Sequence, residues 1–222
     1  MLPAWDFARR RVGVDALAAA VLAFAQAEAP GVRSLERLHE HLDAEAARAL
    51  ADRFTAESWR PRLRALLHDV VRALVGADAT PSLVVQWVGV LRVLVPGDAR
   101  AALPLHADMA LGHAPDERNL WVALTDALDS AALHALDLAP SRAVLARNAG
   151  PFYVDDTEAV ASARPRNCRR GHALLFTPLH VHGGSVNRGL TTRVSVDIRV
   201  APTARAGERK RTGAVFVPLV TP

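Results

Sequence analysis

The first third of the chain carries apolar residues at spacings of three and four, which is the period of an amphipathic helix. In "TAESWRPRLRALLHDVVRALVG", residues 55–76, these positions form one clear stripe. The segments 14–29 and 34–54 have a similar character, and Pro30 and Gly31 end the first of them. We therefore predict three helices, over 14–29, 34–54 and 55–76.

From residue 80 onward the period changes to two, which is typical of strands with one buried face. The clearest example is "TRVSVDIRV", residues 192–200, where Val and Ile alternate with four polar residues. Weaker strand patterns lie at 143–147 and 151–154, and 128–142 is predicted to be a connection with a short helical turn. Further β-branched and apolar runs, separated by Pro, Gly and Asp, predict strands at 82–95, 119–127, 172–182 and 213–220.

Helices followed by many short strands favour an α+β fold, with N-terminal helices packed on an antiparallel jelly roll, also called a double-stranded β-helix or cupin-like core. The length of 222 residues, half of them hydrophobic, fits a single domain. We expect residues 1–76 to form a helical layer on a core made by residues 80–222. The stripe of the third helix has to be buried, and the apolar face of strand 192–200 is the available surface.

Composition narrows the function classes. The net charge of +4 comes almost entirely from arginines that are scattered among acidic residues, so we expect no nucleic-acid partner. No apolar run approaches the roughly 20 residues of a membrane span. The N-terminus lacks the apolar core of a signal peptide, and Cys168 is the single cysteine. These features predict a cytoplasmic protein. We also expect a monomer or a homodimer with a small-molecule substrate.

Candidate chemistry begins at "LPLHADMALG", where His106 and Asp108 are two residues apart and would share one face of a strand. An imidazole and a carboxylate side by side are two ligands of a three-residue metal site. His172, His180 and His182 compete for the third ligand position, and strand alternation cannot decide between His180 and His182, because both fall on one face. Arg193 lies eleven residues after His182. A returning antiparallel strand would bring this arginine beside His182, which favours His182 as the ligand.

Two imidazoles and one carboxylate form the facial triad of non-haem Fe(II) oxygenases, which leaves three coordination positions open. Arg193 suits the far end of a dicarboxylate cosubstrate, because its planar guanidinium matches a carboxylate with two parallel hydrogen bonds. Ser195, on the same face as Arg193, can add a hydroxyl group. The sequence therefore predicts an iron site next to an anion-binding site.

Together, "HADMALGHAPDERNLWVALTDA" and "HGGSVNRGLTTRVSVDIR" resemble the Fe(II)/2-oxoglutarate-dependent dioxygenases, and within them the phytanoyl-CoA hydroxylase group. The first segment is also similar to dioxygenase-like proteins of streptomycin-type antibiotic biosynthesis pathways. The resemblance covers roughly residues 83–200, and it departs at Gly184, where the hydroxylase group often has serine. It implies Fe(II) with 2-oxoglutarate and O₂ as cosubstrates. The expected reaction is hydroxylation of a small polar metabolite in a bacterial specialised-metabolite pathway, with decarboxylation of 2-oxoglutarate to succinate.

The resemblance also suggests roles for residues around the triad. It implies that Gln86 and Asn119 contact 2-oxoglutarate together with Arg193 and Ser195. Trp121 could equally be a core residue, and Arg199 could equally pair with Asp197 or Asp126. The candidate substrate contacts are Arg92, His113, Trp121, His180 and Arg199.

Two other functions fit parts of the pattern. A cupin-like metal enzyme would need no 2-oxoglutarate, and the Arg193-x-Ser195 pair argues against it. A jelly-roll carbohydrate-binding module would need no metal, but it would have no reason to turn a carboxylate and two imidazoles inward, because unpaired buried polar groups are costly. Metal content of the purified protein separates the binding module from the enzymes.

Overall fold

The computed structural model describes residues 7–76, 82–147, 153–207 and 215–219. It contains helices α1 (Asp15–Glu28), α2 (Ala44–Glu57), α3 (Pro61–Val75), α4 (Leu138–Arg147) and α5 (Thr157–Ser162). Its strands are β1 (Ala8–Arg11), β2 (Leu83–Gln86), β3 (Val90–Leu94), β4 (Arg118–Ala123), β5 (Leu133–Ala135), β6 (Arg164–Arg166), β7 (His172–Phe176), β8 (His182–Gly183), β9 (Arg193–Pro202) and β10 (Phe216–Pro218).

The strands form two antiparallel sheets. The larger has the order β1-β7-β4-β9-β2-β10, and β3 pairs with the first half of β9 on the same edge as β2. The smaller has the order β6-β5-β8, and side chains of both sheets meet in one cluster that includes Trp121, Leu133 and Phe176. This is the predicted α+β architecture with a jelly-roll core.

The helical layer covers one face of the larger sheet. In β9 the alternating Val194, Val196, Ile198 and Val200 belong to the same core cluster as buried residues of α1, α2 and α3. The opposite face of β9 carries the polar row and turns towards the smaller sheet. The predicted burial of the α3 stripe against this strand is confirmed, and it leaves the polar row free to line a cavity.

The helix boundaries differ from the sequence prediction at two places. Residues 34–54 are not one helix: a 3₁₀ turn, Leu35–Glu40, comes first, and α2 begins only at Ala44. The Asp43 carboxylate accepts hydrogen bonds from the first amides of α2, so it caps a new helix that continues to Glu57. The third helix begins at Pro61 and not at residue 55, because proline fits the first helical position.

Two predicted strands are each divided in the structure. The run 82–95 forms β2 and β3, because the chain leaves the sheet after Gln86 and the Gly89 amide donates to the hydroxyl of Ser58. The run 172–182 forms β7 in the larger sheet and β8 in the smaller one, with a turn between them. Alternation along one strand therefore does not apply to His180 and His182.

Of the two weaker strand predictions, one is wrong and the other lies partly outside the described residues. Residues 143–147 lie in α4 and form no strand. The connection 128–142 contains a 3₁₀ turn as predicted, but also β5 and the start of α4. Of 151–154, residues 151–152 lie outside the described part, and Tyr153 makes a single bridge to His106. Three-residue strands such as β5 are too short for periodicity to reveal.

Candidate metal and cosubstrate site

His106 and His182 are placed opposite each other by a short antiparallel pairing. The amide of His106 donates to the carbonyl of His182 at 2.8 Å, and the reverse bond is 2.9 Å. Directly opposite residues share a face, and the two ring centroids are 4.4 Å apart. Gly183 permits this approach, since a Cβ atom there would lie 2.7 Å from the carbonyl oxygen of Leu103.

Both imidazoles are held in the form that can bind a metal through Nε2. The Nδ1–H of His106 donates to the Pro104 carbonyl at 2.8 Å, and the Nδ1–H of His182 donates to the His180 carbonyl at 2.9 Å. Burial, and then the neighbouring His182 ring, lowers the pKa of His106 to about 4. The His106 ring is therefore neutral at pH 7, and its Nε2 lone pair is available to a ligand.

Asp108 supplies a carboxylate beside the two rings. Its Oδ2 accepts hydrogen bonds from Arg199 Nη2 at 2.7 Å and from Asn119 Nδ2 at 2.6 Å. Its Oδ1 lies 3.7 Å from His106 Nε2. Burial by itself would raise the pKa of Asp108, but the Arg199 guanidinium holds it well below its usual range. One oxygen of an ionised carboxylate is thus fixed while the other faces the histidines.

These donors fit one divalent metal ion. Ligand atoms of His106, Asp108 and His182 all lie within 4.8 Å of one another. Two neutral imidazoles and one carboxylate are the donor set that non-haem Fe(II) sites use.

His180, the alternative third ligand, lies elsewhere. It sits in the turn before β8, fully buried, with its ring 4.6 Å from the Phe7 ring. Its Nδ1 is 3.0 Å from the hydroxyl of Thr177, and the residue lines neither cavity that opens on the triad. This position argues against the predicted substrate contact. His180 instead acts through its backbone, because its carbonyl fixes the His182 ring.

A cavity of about 310 Å³ lies against both histidines and contains a buried arginine. Arg193 Nη1 donates to the Ser195 hydroxyl at 2.8 Å, and the guanidinium lies over the Trp121 ring at 5.5 Å. Burial lowers the pKa of Arg193 to about 10, so it remains a cation at pH 7. Among the described residues no carboxylate forms an ion pair with it, and its Nε makes no hydrogen bond. A buried cation without a counter-charge favours an anionic ligand.

The remaining predicted site residues separate into different groups. Asn119 and Trp121 line the cavity of Arg193, and the β4 register places Asn119 directly opposite Arg199. Arg92 also lines it, but its Nε pairs with Asp197 at 3.1 Å. Arg199 therefore pairs with neither Asp197 nor Asp126, the two partners considered from the sequence, but with Asp108.

Gln86 and His113 line a second cavity, of about 540 Å³, that also reaches His106 and Asp108. Gln86 Oε1 accepts a hydrogen bond from Arg199 Nη1 at 3.3 Å. Because Gln86 is absent from the lining of the Arg193 cavity, its contact with 2-oxoglutarate stays a prediction. Sequence reasoning missed Glu117, whose spacing of four residues from His113 is the one signal that could have drawn attention to it.

Comparison with protein families decides the class. Residues 11–195 match the model of the phytanoyl-CoA dioxygenase (PhyH) family. The chain belongs to the phytanoyl-CoA dioxygenase family. It is an Fe(II)/2-oxoglutarate-dependent oxygenase, as predicted from the triad and its arginine. No curated protein sequence matched the chain. The more specific resemblance to proteins of streptomycin-type pathways stays a prediction.

Solved structures of similar fold are oxygenases and related proteins at low identity. The nickel complex of the non-haem monooxygenase ThoJ is 18% identical, covers 94% of this chain and 77% of its own, and has a TM-score of 0.55. AviO1 from Streptomyces viridochromogenes Tue57 is 20% identical over 90% of each chain, with a TM-score of 0.53. EctD from S. alaskensis is 14% identical over 90% of this chain and 74% of its own, with a TM-score of 0.56. At these identities the likeness shows the fold alone.

Within the described residues, every helix is too short or too polar to cross a membrane.

Proposed function

We propose that this protein hydroxylates a small metabolite that carries at least one polar group, and that it converts 2-oxoglutarate to succinate in the same reaction. His106, Asp108 and His182 would hold Fe(II), and Arg193 would bind the distal carboxylate of 2-oxoglutarate. The observation that carries the proposal is the buried guanidinium of Arg193, which forms no ion pair with the described residues and lies in the cavity onto which both histidines open. A dicarboxylate is the ligand that can bridge a metal and this arginine.

Each residue has a distinct task in this proposal. When bound, Fe(II) would be the site at which the keto acid coordinates, and it would supply the activation of O₂. The Ser195 hydroxyl fixes the guanidinium of Arg193, and the Trp121 ring packs beneath it, so the fork is oriented before the anion arrives. Asn119 and Arg199 hold one oxygen of Asp108, which keeps the other directed at the metal position.

The wider setting of the reaction rests on the sequence. We also propose that the protein acts in a bacterial specialised-metabolite pathway. It would be cytoplasmic, and either a monomer or a homodimer. The carbohydrate-binding alternative loses its basis, because the chain belongs to an enzyme family. A cupin-like enzyme without 2-oxoglutarate would leave the buried charge of Arg193 without a partner.

The test is cosubstrate turnover without the unknown substrate. Enzyme reconstituted with Fe(II) under air should release labelled CO₂ from 2-oxoglutarate that carries the label in its C1 carboxylate, with one succinate formed for each CO₂. Enzyme loaded with Ni(II) should bind the keto acid but release none. No release above the Ni(II) background from fully iron-loaded enzyme would contradict the proposal.

A further inference from the structure

A buried histidine–glutamate pair lies on the second cavity, apart from the metal ligands. His113 Nδ1 is 2.6 Å from Glu117 Oε2, and the two side chains are 1% and 0% exposed. The other carboxylate oxygen, Oε1, accepts the amide of Ala114 at 2.9 Å. Since a carboxylate accepts, the Nδ1–H of His113 donates and Glu117 fixes the orientation of the ring.

The local backbone ties this pair to the metal site. Asp108 begins a 3₁₀ turn, Asp108–Leu111, which Gly112 ends with a φ of +87°. That left-handed conformation suits glycine and reverses the chain, so the His113 amide donates back to the Asp108 carbonyl at 3.3 Å. The His113 ring thereby reaches the wall of the cavity that Asp108 also lines.

The second nitrogen of His113 is a hydrogen-bonding atom without a partner. Its Nε2 makes no hydrogen bond within the part of the chain that the structure describes. The charged groups nearby are engaged, Arg199 with Asp108 and Arg92 with Asp197. With Nδ1–H directed at Glu117, Nε2 is the ring nitrogen that remains available to a ligand. Much of the remaining wall is apolar and consists of Trp87, Val88, Val90, Leu103, Leu111 and Val215.

We propose that this cavity is the substrate pocket, and that His113, oriented by Glu117, binds a hydroxyl group on a substrate whose remaining surface is largely apolar. The inference rests on the proposed function, because it uses the opening of the cavity onto His106 and Asp108. A hydroxyl can both donate and accept, so it can pair with Nε2 in either protonation state of the ring. An ammonium would stand beside the cation of Arg199. The volume of about 540 Å³ is within the ordinary range of small-molecule sites.

The experiment uses matched probes and does not require the natural substrate. The probes are cyclic and bicyclic alcohols with about 10 to 15 heavy atoms, a size that suits a small-molecule pocket of this volume. Each alcohol is paired with its methyl ether. Binding to enzyme loaded with Ni(II) and 2-oxoglutarate is measured by calorimetry. A neutral hydrogen bond is worth about 1 kcal/mol, so alcohols should bind about fivefold more tightly than their ethers. In His113→Phe this preference should disappear, and in Glu117→Gln it should shrink.

His172→Phe is the matched control, because His172 lies on a different cavity and should keep the preference for alcohols. Ethers that bind as tightly as alcohols, or a preference that survives in both His113→Phe and Glu117→Gln, would overturn the assignment. A panel of alcohols that all fail to bind would overturn it as well. Metal binding and 2-oxoglutarate turnover by the wild-type enzyme test the proposed function separately, so failure of either can be distinguished.

Discussion

Replacing Arg193 by methionine should have opposite effects on the empty enzyme and on the enzyme with 2-oxoglutarate. In the structure the guanidinium is buried, no carboxylate of the described residues forms an ion pair with it, and its Nε makes no hydrogen bond. Burial of such a cation is costly, so an apolar side chain of similar length should leave the empty protein as stable as before, or more stable. The same change removes the partner of the distal carboxylate.

The magnitude follows from the two charge-assisted hydrogen bonds that a guanidinium makes to a carboxylate. Their loss should cost about 3 kcal/mol, or a factor of about 150 in the dissociation constant of 2-oxoglutarate. At a concentration of 100 times the wild-type Kd, the ligand stabilises wild-type enzyme by about 2.7 kcal/mol, and the variant by about 0.3 kcal/mol. A chain of this size gains roughly 2–4 °C in Tm per kcal/mol. The wild-type shift should therefore be about 5–10 °C, and the variant shift about 1 °C.

The assay is thermal unfolding of Ni(II)-loaded enzyme with and without 2-oxoglutarate. Arg92→Met is the matched control, because Arg92 is a partly exposed arginine of the same cavity that already pairs with Asp197. It should keep most of the 2-oxoglutarate shift. An Arg193→Met enzyme that has a lower Tm than wild type when empty, yet keeps the full Tm shift with 2-oxoglutarate, would refute both expectations.

Three further outcomes are expected. Gly183→Ala should weaken Ni(II) binding about tenfold or more, because the added Cβ would collide with the Leu103 carbonyl and move the two histidines apart. Gly184→Ala should keep the wild-type Ni(II) affinity, because the nearest atom to its Cβ is 3.6 Å away, and equal affinities of the two variants in calorimetry would contradict this prediction. Burial lowers the pKa of His68 to about 4 in the folded protein, whereas in the unfolded chain the pKa is about 6.5. Between these two pH values the unfolded chain therefore binds more protons than the folded protein. Wild-type stability in urea titrations should fall from pH 6.5 to 4 more steeply than that of His68→Leu, and parallel curves would exclude this role. We also propose that residues 1–222 form a single domain: removal of residues 1–76 should expose the apolar face of β9 and abolish cooperative unfolding, whereas a cooperatively folded 80–222 fragment would show two domains.

The amphipathic helices and the long strand β9 could be predicted from sequence, because their periods persist over nine residues or more. The points at which predicted strands are interrupted could not be predicted, since they arise from contacts between residues distant along the chain. Gly89 leaves the sheet towards Ser58, and that bond has no signal in the local pattern. The short strand β5 pairs with both β6 and β8, and three residues are too few to show alternation.

The candidate site was predictable where its chemistry follows residue type and order. His106, Asp108 and His182 were named from sequence, and the structure brings their ligand atoms together. The partner of Arg199 was not predictable, because it depends on the register that places Arg199 beside Asn119. The pair of His113 and Glu117 has a spacing of four residues as its one signal in the sequence, and its place on the second cavity depends on the turn after Asp108.

The central claim is that His106, Asp108 and His182 together hold one Fe(II) that 2-oxoglutarate chelates. Its most direct test is an anaerobic titration of the enzyme with Fe(II) and 2-oxoglutarate, monitored by the charge-transfer absorption of the complex. Wild-type enzyme and His180→Gln should reach a plateau at one iron per chain, and His182→Ala should show no band. A full band at one iron per chain in His182→Ala, with loss of the band in His180→Gln, would contradict the account.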